Sequence, residues 1–380
     1  MKKIKRFLSF FMSFALIILL ISCGHTVSGK YETNNLEKTD TKETKVDGQL
    51  KIHFIDVGQA DCILLQQGNE NMLIDAGNND DEQTIKNYLH NVGVDEFKYV
   101  IGTHPHEDHI GSMDYIMNSF KVGKIYFPKA NTTTKTFQNL VSAVENKGMK
   151  FANPTVGETF NLGQAKCTIL APNNSSYEDL NNYSIVVKVE FGNNSFLFTG
   201  DAEDVSEKEM LDKGCDLKAD VLKVGHHGSD SSTTGEFLNA VNPKYAVISV
   251  GKGNDYGHPT NKTIQKLHDK KIEIYRTDES GTVVTTSDGT NITFNTKPST
   301  TTVGNSDKSK NNDQSGNSNN TKSGSSNNQT TQANGQTVWV AKRDSKVYHL
   351  NPGCSSMKNP VQMTIEEAKG KGLKACKKCA

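Results

Sequence analysis

The sequence predicts an α/β fold in which helices cover β-sheets, and three observations carry the prediction. Between Leu50 and about Phe294, apolar runs of strand length alternate with helical stretches. Turn-forming pairs, Gly58-Gln59 and Gly68-Asn69, separate the first of these runs. Strands in runs with helices between them call for sheets covered by helices, because each sheet must bury its apolar face against something. This pattern fits one sheet or two.

In chain order, Leu50–Val57, Ala60–Gln67 and Asn71–Asp75 read as strands. A helix follows from about Glu82 to Asn91, then the apolar strand Tyr99–Thr103. Further strands are expected at Cys167–Leu170, Ile185–Phe191, Ser195–Thr199, Val221–Val224 and Tyr245–Val250. Helices at about 136–147, 204–213, 232–240 and 261–269 alternate with them.

Composition divides the rest of the chain. Lys2, Lys3, Lys5 and Arg6 precede an uncharged apolar run, Phe7 to Ile21, which is shorter than the roughly 20 residues of a spanning helix. Residues 1–22 therefore read as a signal peptide. The run ends in Leu20-Ile21-Ser22-Cys23, which resembles the bacterial lipobox and implies lipidation of Cys23. The expected location is the extracellular face of the cell membrane, with residues 23–48 as a tether to the lipid anchor. Without residues 1–22 the chain carries 39 basic and 43 acidic residues, a balance of −4. Net charge alone would not draw it to a polyanion. Residues 298–336 are almost wholly Ser, Thr, Asn, Gln, Gly and Lys. They cannot bury enough apolar surface to fold and read as a disordered linker. A small module is expected at 337–380, after the main strand-and-helix region 49–297.

The chemistry concentrates in His104-Pro105-His106-Glu107-Asp108-His109-Ile110-Gly111, directly after a strand. Imidazole and carboxylate are ligands that zinc, manganese and iron accept. The i, i+2 spacing turns His104 and His106 toward one point, and Asp108 and His109 can serve a second. The arrangement suits two divalent metals sharing a bridging hydroxide. Two further strands end in candidate donors. Phe196-Leu-Phe-Thr-Gly-Asp201 delivers a carboxylate, and Val221-Leu-Lys-Val-Gly-His226-His227-Gly-Ser229 delivers two imidazoles.

His104-x-His106-x-Asp108-His109, with Asp75 before it and Asp201 after it, resembles the metallo-β-lactamase superfamily. The resemblance implies an αβ/βα sandwich with the metals at one end. More narrowly, Phe54-Ile-Asp-Val-Gly-Gln-Ala-Asp61, Leu197-Phe-Thr-Gly-Asp201, Lys223-Val-Gly-His-His-Gly-Ser229 and Tyr256-Gly-His-Pro259 resemble the extracellular hydrolase domain of ComEC-type DNA-uptake proteins. The likeness runs from about residue 50 to 290 and does not extend to a membrane channel. A cell-wall phosphorylcholine esterase shares the superfamily motif. Many superfamily hydrolases use a further His between the first motif and the bridging Asp, and none occurs here between His109 and His226. The His104/His106 site must then finish its coordination with Asp201, water or the segment Asn181-Asn182-Tyr183-Ser184, which favours Mn²⁺ over Zn²⁺.

The resulting assignment gives His104, His106, Asp108, His109 and Asp201 as ligands, with one of His226 and His227 as a further ligand. The other histidine contacts substrate or protonates the leaving group. Asp108, His227 and His258 are the catalytic candidates, and His226, Ser229 and Asn182 the substrate-binding ones. Asp75 is expected behind the ligands, orienting a histidine. Cys62, Cys167 and Cys215 read as structural.

The C-terminal residues His349, Cys354, Cys376 and Cys379 have the residue types and number of a closed tetrahedral site, implying one structural Zn²⁺. A segment this short needs such a staple. It resembles Ada-type zinc modules and carries nine basic against three acidic residues. The expected function is a metal-dependent phosphodiesterase acting on DNA, the tail holding the polyanion. The alternatives are a cell-wall or small-molecule phosphoesterase and a catalytically weak polyanion-binding module. No protein partner is inferable.

Overall fold

Leu50, Ile52 and Phe54 alternate with Lys51 and His53, and this two-residue period places the first strand in the computed structural model. The structure describes residues 46–299, 337–340, 347–349, 361–371 and 373–376. The first half of the main unit runs β1 (Leu50–Phe54), β2 (Ile63–Gln67), β3 (Glu70–Ile74), α1 (Glu82–Asn91), β4 (Glu96–Ile101), α2 (Glu107–Ile110), α3 (Met113–Ser119), β5 (Lys121–Tyr126) and α4 (Lys135–Asn146). Next come β6 (Thr159–Leu162), β7 (Ala165–Ala171), β8 (Val186–Phe191), β9 (Asn194–Phe198), α5 (Asp204–Asp212), β10 (Val221–Lys223) and α6 (Gly235–Val241). The unit closes with β11 (Tyr245–Ile248), α7 (Asn261–Asp269), β12 (Glu273–Arg276), α8 (Thr277–Ser280), β13 (Val283–Ser287) and β14 (Ile292–Phe294).

These strands form two seven-stranded sheets, ordered β14-β13-β1-β2-β3-β4-β5 and β12-β11-β10-β9-β8-β7-β6. Each has an antiparallel half and a parallel half: β3, β4 and β5 in the first, β9 to β12 in the second. Side-chain alternation makes the layers. Ile63, Met72, Val187, Phe196 and Phe198 meet between the sheets, while their strand neighbours point outward. Leu64, Leu73 and Val100 pack under α1, α3 and α4. Leu197, Leu222 and Ala246 pack under α5, α6 and α7. The layer order is helices, sheet, sheet, helices, the αβ/βα sandwich expected above. Among the described residues, no helix is long and apolar enough to cross a membrane.

Several boundaries differ from the sequence reading for local reasons. The expected first two strands were longer; Ile55 to Cys62 instead leave the ladder, the Ile55 N–H donating to the Cys62 carbonyl. The helix expected from 232 begins at Gly235, because the Glu207 carboxylate accepts the Thr233 and Thr234 N–H groups and bends the preceding segment into a loop. The strands β5, β6, β12, β13 and β14, at or next to sheet edges, are runs of three to six residues, too short to announce themselves.

The C-terminal residues form a second unit. Val338 and Val340, on a strand paired with Val361–Thr364, share a small cluster with Tyr348 and Ala368. Tyr348 pairs in parallel with Ala375, so His349 and Cys376 follow at matching strand ends. Cys23, Cys354 and Cys379 lie outside the described residues, as do the signal segment, nearly all of the tether and residues 300–336.

Candidate metal centre

Parallel strands bring their carboxyl ends to one edge of a sheet, and that edge holds the site. Asp75 follows β3, His104 follows β4, Asp201 follows β9, and His226 and His227 follow β10. The short helix α2 carries Asp108 and His109, and it packs close to the loop after Asp75 because Gly111 lies against the backbone of Asn78 and Asn79, where a side chain has no room.

Four donors converge. One ligand atom from each of Asp108, His109, Asp201 and His227 lies within 4.8 Å of the others. His109 Nε2 is 3.2 Å from Asp201 Oδ2, and His227 Nε2 is 3.3 Å from Asp108 Oδ2. His109 Nε2, His227 Nε2 and Asp201 Oδ1 are nevertheless buried without a hydrogen bond. Buried polar atoms left unpaired are expensive. Imidazole nitrogens and carboxylate oxygens aimed at one point fit a divalent cation, so this donor set passes the test for a metal site.

His104 and His106 form an adjoining pair. His104 Nε2 lies 3.0 Å from His106 Nδ1 and 4.0 Å from Asp201 Oδ2, which leaves Asp201 between the two groups. In the Asn181–Ser184 segment, Ser184 comes nearest. Its Oγ is 3.4 Å from His104 Nδ1 and accepts the Asp201 N–H at 3.0 Å.

Three of the histidines are held from behind. Asp75 accepts three hydrogen bonds at 2.8 Å, from the Thr103 N–H, the Thr103 hydroxyl and His109 Nδ1. It sits where the sequence reading expected a residue orienting a histidine. His227 Nδ1 donates to the Ser249 carbonyl at 3.0 Å. His226 Nδ1 faces Glu203 Oε1 at 3.1 Å and Ser231 Oγ at 3.2 Å. Both His226 (φ 48°) and His227 (φ 51°) are left-handed, a conformation that surrounding structure must enforce in non-glycine residues.

Charge reinforces the picture. Burial opposes a proton on His109, yet Asp201, Asp75 and Asp108 outweigh it and hold its pKa well above the ordinary value. Burial also opposes the charge on Asp201, but His109 and His227 keep this carboxyl well below the usual range. Burial and the adjacent His109 push His104 well below the usual imidazole value. The cluster is thus rich in carboxylate charge that only a cation or protonated histidines can balance.

His226, His227 and His258 line a cavity of about 320 Å³ together with His106, Glu107 and Asp108. Burial works against a charge on His226, but Glu203 and Asp201 raise its pKa. Burial, with His226 and His227 nearby, pushes His258 down to about 4. The structure separates the two adjacent histidines. His227 belongs to the four-donor group; His226 stands outside it, its Nε2 3.7 Å from Asp201 Oδ2.

Two expected substrate contacts fall elsewhere. The Asn182 side-chain oxygen accepts the Glu203 and Ser206 N–H groups, so Asn182 serves the amino end of α5 instead of the cavity. Ser229 is buried and its Oγ meets Ser231 Oγ at 2.9 Å, which places it behind His226. Residues the sequence reading did not single out are Glu203, Ser231, Asp61 and Lys223, and two on the cavity wall, Gln59 and the exposed Tyr256. Gln59, Asp61, Lys223 and Tyr256 lie within the segments that carry the family resemblance, while nothing local marks Glu203 or Ser231. Cys62 and Cys167 are buried apolar neighbours of the core, in keeping with a packing role.

Residues 55–252 match the Metallo-beta-lactamase superfamily. The chain is 31% identical over 253 residues to ComE operon protein 3 of Bacillus subtilis (strain 168), covering 61% of this chain and 32% of that protein. It is 31% identical over 241 residues to Competence protein ComA of Neisseria gonorrhoeae, covering 63% and 32%. With Recombination protein 2 of Haemophilus influenzae it shares 29% over 238 residues, covering 61% and 28%. The chain thus spans about a third of the length of these relatives.

Proposed function

Because the chain belongs to the metallo-beta-lactamase superfamily, whose members are generally metal-dependent hydrolases, we propose that it hydrolyses phosphodiester bonds of DNA outside the cell. The observation that carries the reading is the convergence of Asp108, His109, Asp201 and His227 beside a cavity lined by further histidines. The words "competence" and "recombination" in the relatives' names favour a nucleic acid among phosphodiesters.

Asp108, His109, Asp201 and His227 would hold one divalent metal. His104, His106 and the shared Asp201 would hold a second, Mn²⁺ suiting this site of only three protein ligands better than Zn²⁺. Two such ions supply Lewis acidity, which polarises a phosphoryl oxygen and acidifies water. The protein's own groups do the rest. Asp75 and the Ser249 carbonyl hold His109 and His227 with Nε2 toward the cluster. Glu203 presents His226 to the cavity with its raised pKa, which suits the donation of a proton to a departing alkoxide. His258, its pKa pushed down to about 4, stays neutral and can accept a hydrogen bond from substrate.

The basic head, the apolar run and Cys23 support export and lipid anchoring. His349 and Cys376 at matching strand ends support a zinc-stapled tail, and its nine basic residues suit it to hold a polyanion. The test is metal analysis with an activity screen on single-stranded DNA, duplex DNA, bis-p-nitrophenyl phosphate and phosphorylcholine esters. Cleavage of DNA and of the diester, lost in His109→Ala, is the expected result. Cleavage of phosphorylcholine esters with DNA left intact would overturn it.

A further inference from the structure

Lys223 is the last residue of β10, between the parallel strands β9 and β11, and it is fully buried. Alternation puts it on the same face as Val221, toward the core between the sheets, and its register partners Phe198 and Val247 belong to that core. An aliphatic side chain would satisfy this position, and apolar replacement of a buried ion pair is often neutral or stabilising. The ammonium therefore calls for a reason other than packing.

Its partner is Asp61, only 1% exposed, on the connection between β1 and β2 in the other sheet. Lys223 Nζ lies 2.8 Å from Asp61 Oδ2 and donates to the Val224 carbonyl at 3.0 Å. The second oxygen, Asp61 Oδ1, is 3.5 Å from His227 Nδ1, the atom that donates to the Ser249 carbonyl. The Asp61 backbone is fixed as well: its N–H donates to the Asp108 carbonyl at 3.1 Å, and its carbonyl accepts from Gly77 at 2.9 Å. One buried residue is thus bonded to the short helix of Asp108 and the loop after Asp75 and lies beside the far nitrogen of His227.

We infer that Asp61 and Lys223 form a positioning pair that holds His227 for metal binding. Lys223 pairs with one oxygen of Asp61 and anchors the strand end three residues before the left-handed turn at His226 and His227. The other oxygen makes no hydrogen bond to Nδ1 but sets its negative charge 3.5 Å from it, favouring the proton there that the Ser249 carbonyl accepts. That arrangement leaves Nε2 as the lone-pair atom, aimed at Asp108 and Asp201 from 3.3 and 3.7 Å. Neither residue touches substrate; both act through His227. The inference rests on His227 being a ligand, and the experiment separates the two claims.

Asp61→Asn, Lys223→Met and the double variant are made in the full chain, with His227→Ala as the control. Melting temperature is followed beside Co²⁺ titration, read by the visible absorption of the bound ion. Each single variant leaves one buried charge alone and should melt earlier; the double leaves none and should recover toward the wild-type value. Co²⁺ affinity in the double should nevertheless remain weaker by about 10–100-fold, with an altered spectrum. A recovered double variant with wild-type affinity and spectrum would reduce the pair to packing. If His227→Ala itself binds Co²⁺ like wild type, the ligand assignment fails instead. The Co²⁺-loaded wild type gives a reading independent of variant folding. It should show a paramagnetically shifted, slowly exchanging Nδ1–H signal absent from His227→Ala, and fast solvent exchange of that proton would overturn the inference.

Discussion

Replacing Asp75 with Asn removes one charge and changes almost no volume, so it isolates what the carboxylate does behind His109. The backbone at Asp75 is left-handed (φ 59°), a conformation Asn tolerates, so strain there should not change. The loss comes from hydrogen bonding. The carboxylate accepts from Thr103 twice and from His109 once, each at 2.8 Å. An amide has one oxygen, which can keep the Thr103 hydroxyl and His109, while its NH₂ is left facing the Thr103 N–H. A buried donor so stranded costs about 1–3 kcal/mol. Losing the charge assistance at His109 adds about 1 kcal/mol. Unfolding of the chelator-treated protein in urea should therefore show a loss of about 2–4 kcal/mol. Metal affinity, read by Co²⁺ titration of the folded variant, should fall about 10–100-fold because His109 loses its orienting partner. A variant destabilised by that amount but binding Co²⁺ like the wild type would refute the reasoning and leave Asp75 a structural residue only.

Other outcomes follow from single features. Gly111→Ala pushes a methyl into the backbone of Asn78 and Asn79 and should cost about 3 kcal/mol or more, so an unchanged urea midpoint would contradict the packing. Burial, helped by Lys51, lowers the pKa of His53 to about 4. The unfolded chain then binds a proton below about pH 6.5 that the folded chain does not, so stability present above that pH is lost as the pH falls toward 4. The His53 contribution should be on the order of 2 kcal/mol between pH 7 and 5. His53→Gln should flatten that dependence, and equal slopes for variant and wild type would count against it. Cys376→Ser should lower bound zinc by one equivalent while the main unit keeps its thermal transition; unchanged zinc content would exclude the stapled tail. Deleting residues 337–380 should weaken binding to long DNA and reduce its salt dependence while sparing cleavage of a small diester, and an unchanged salt slope would refute the tail's role.

Much of the candidate site is legible in the sequence because its first part is local. His104, His106, Asp108 and His109 lie within six residues after one strand, and no fold is needed to see that they can meet. The period-two alternation of Leu50, Ile52 and Phe54, and of Phe196 and Phe198, likewise fixes which face each strand buries. Relations between distant segments were not legible. Sequence could not order His226 and His227, since both follow the same strand. Their left-handed turn directs His227 into the four-donor group and leaves His226 to Glu203. Asn182 read as a polar residue near the site, but the start of α5 claims its oxygen, a partner chosen only when the elements pack. The pairing of β13 with β1 joins chain segments far apart in sequence through backbone hydrogen bonds, which no residue type encodes. Asp61 and Lys223 show the same limit most clearly. Each is an ordinary charged residue in its own segment, and only the closure of one sheet on the other buries both, which forces them into contact and sets them behind His227.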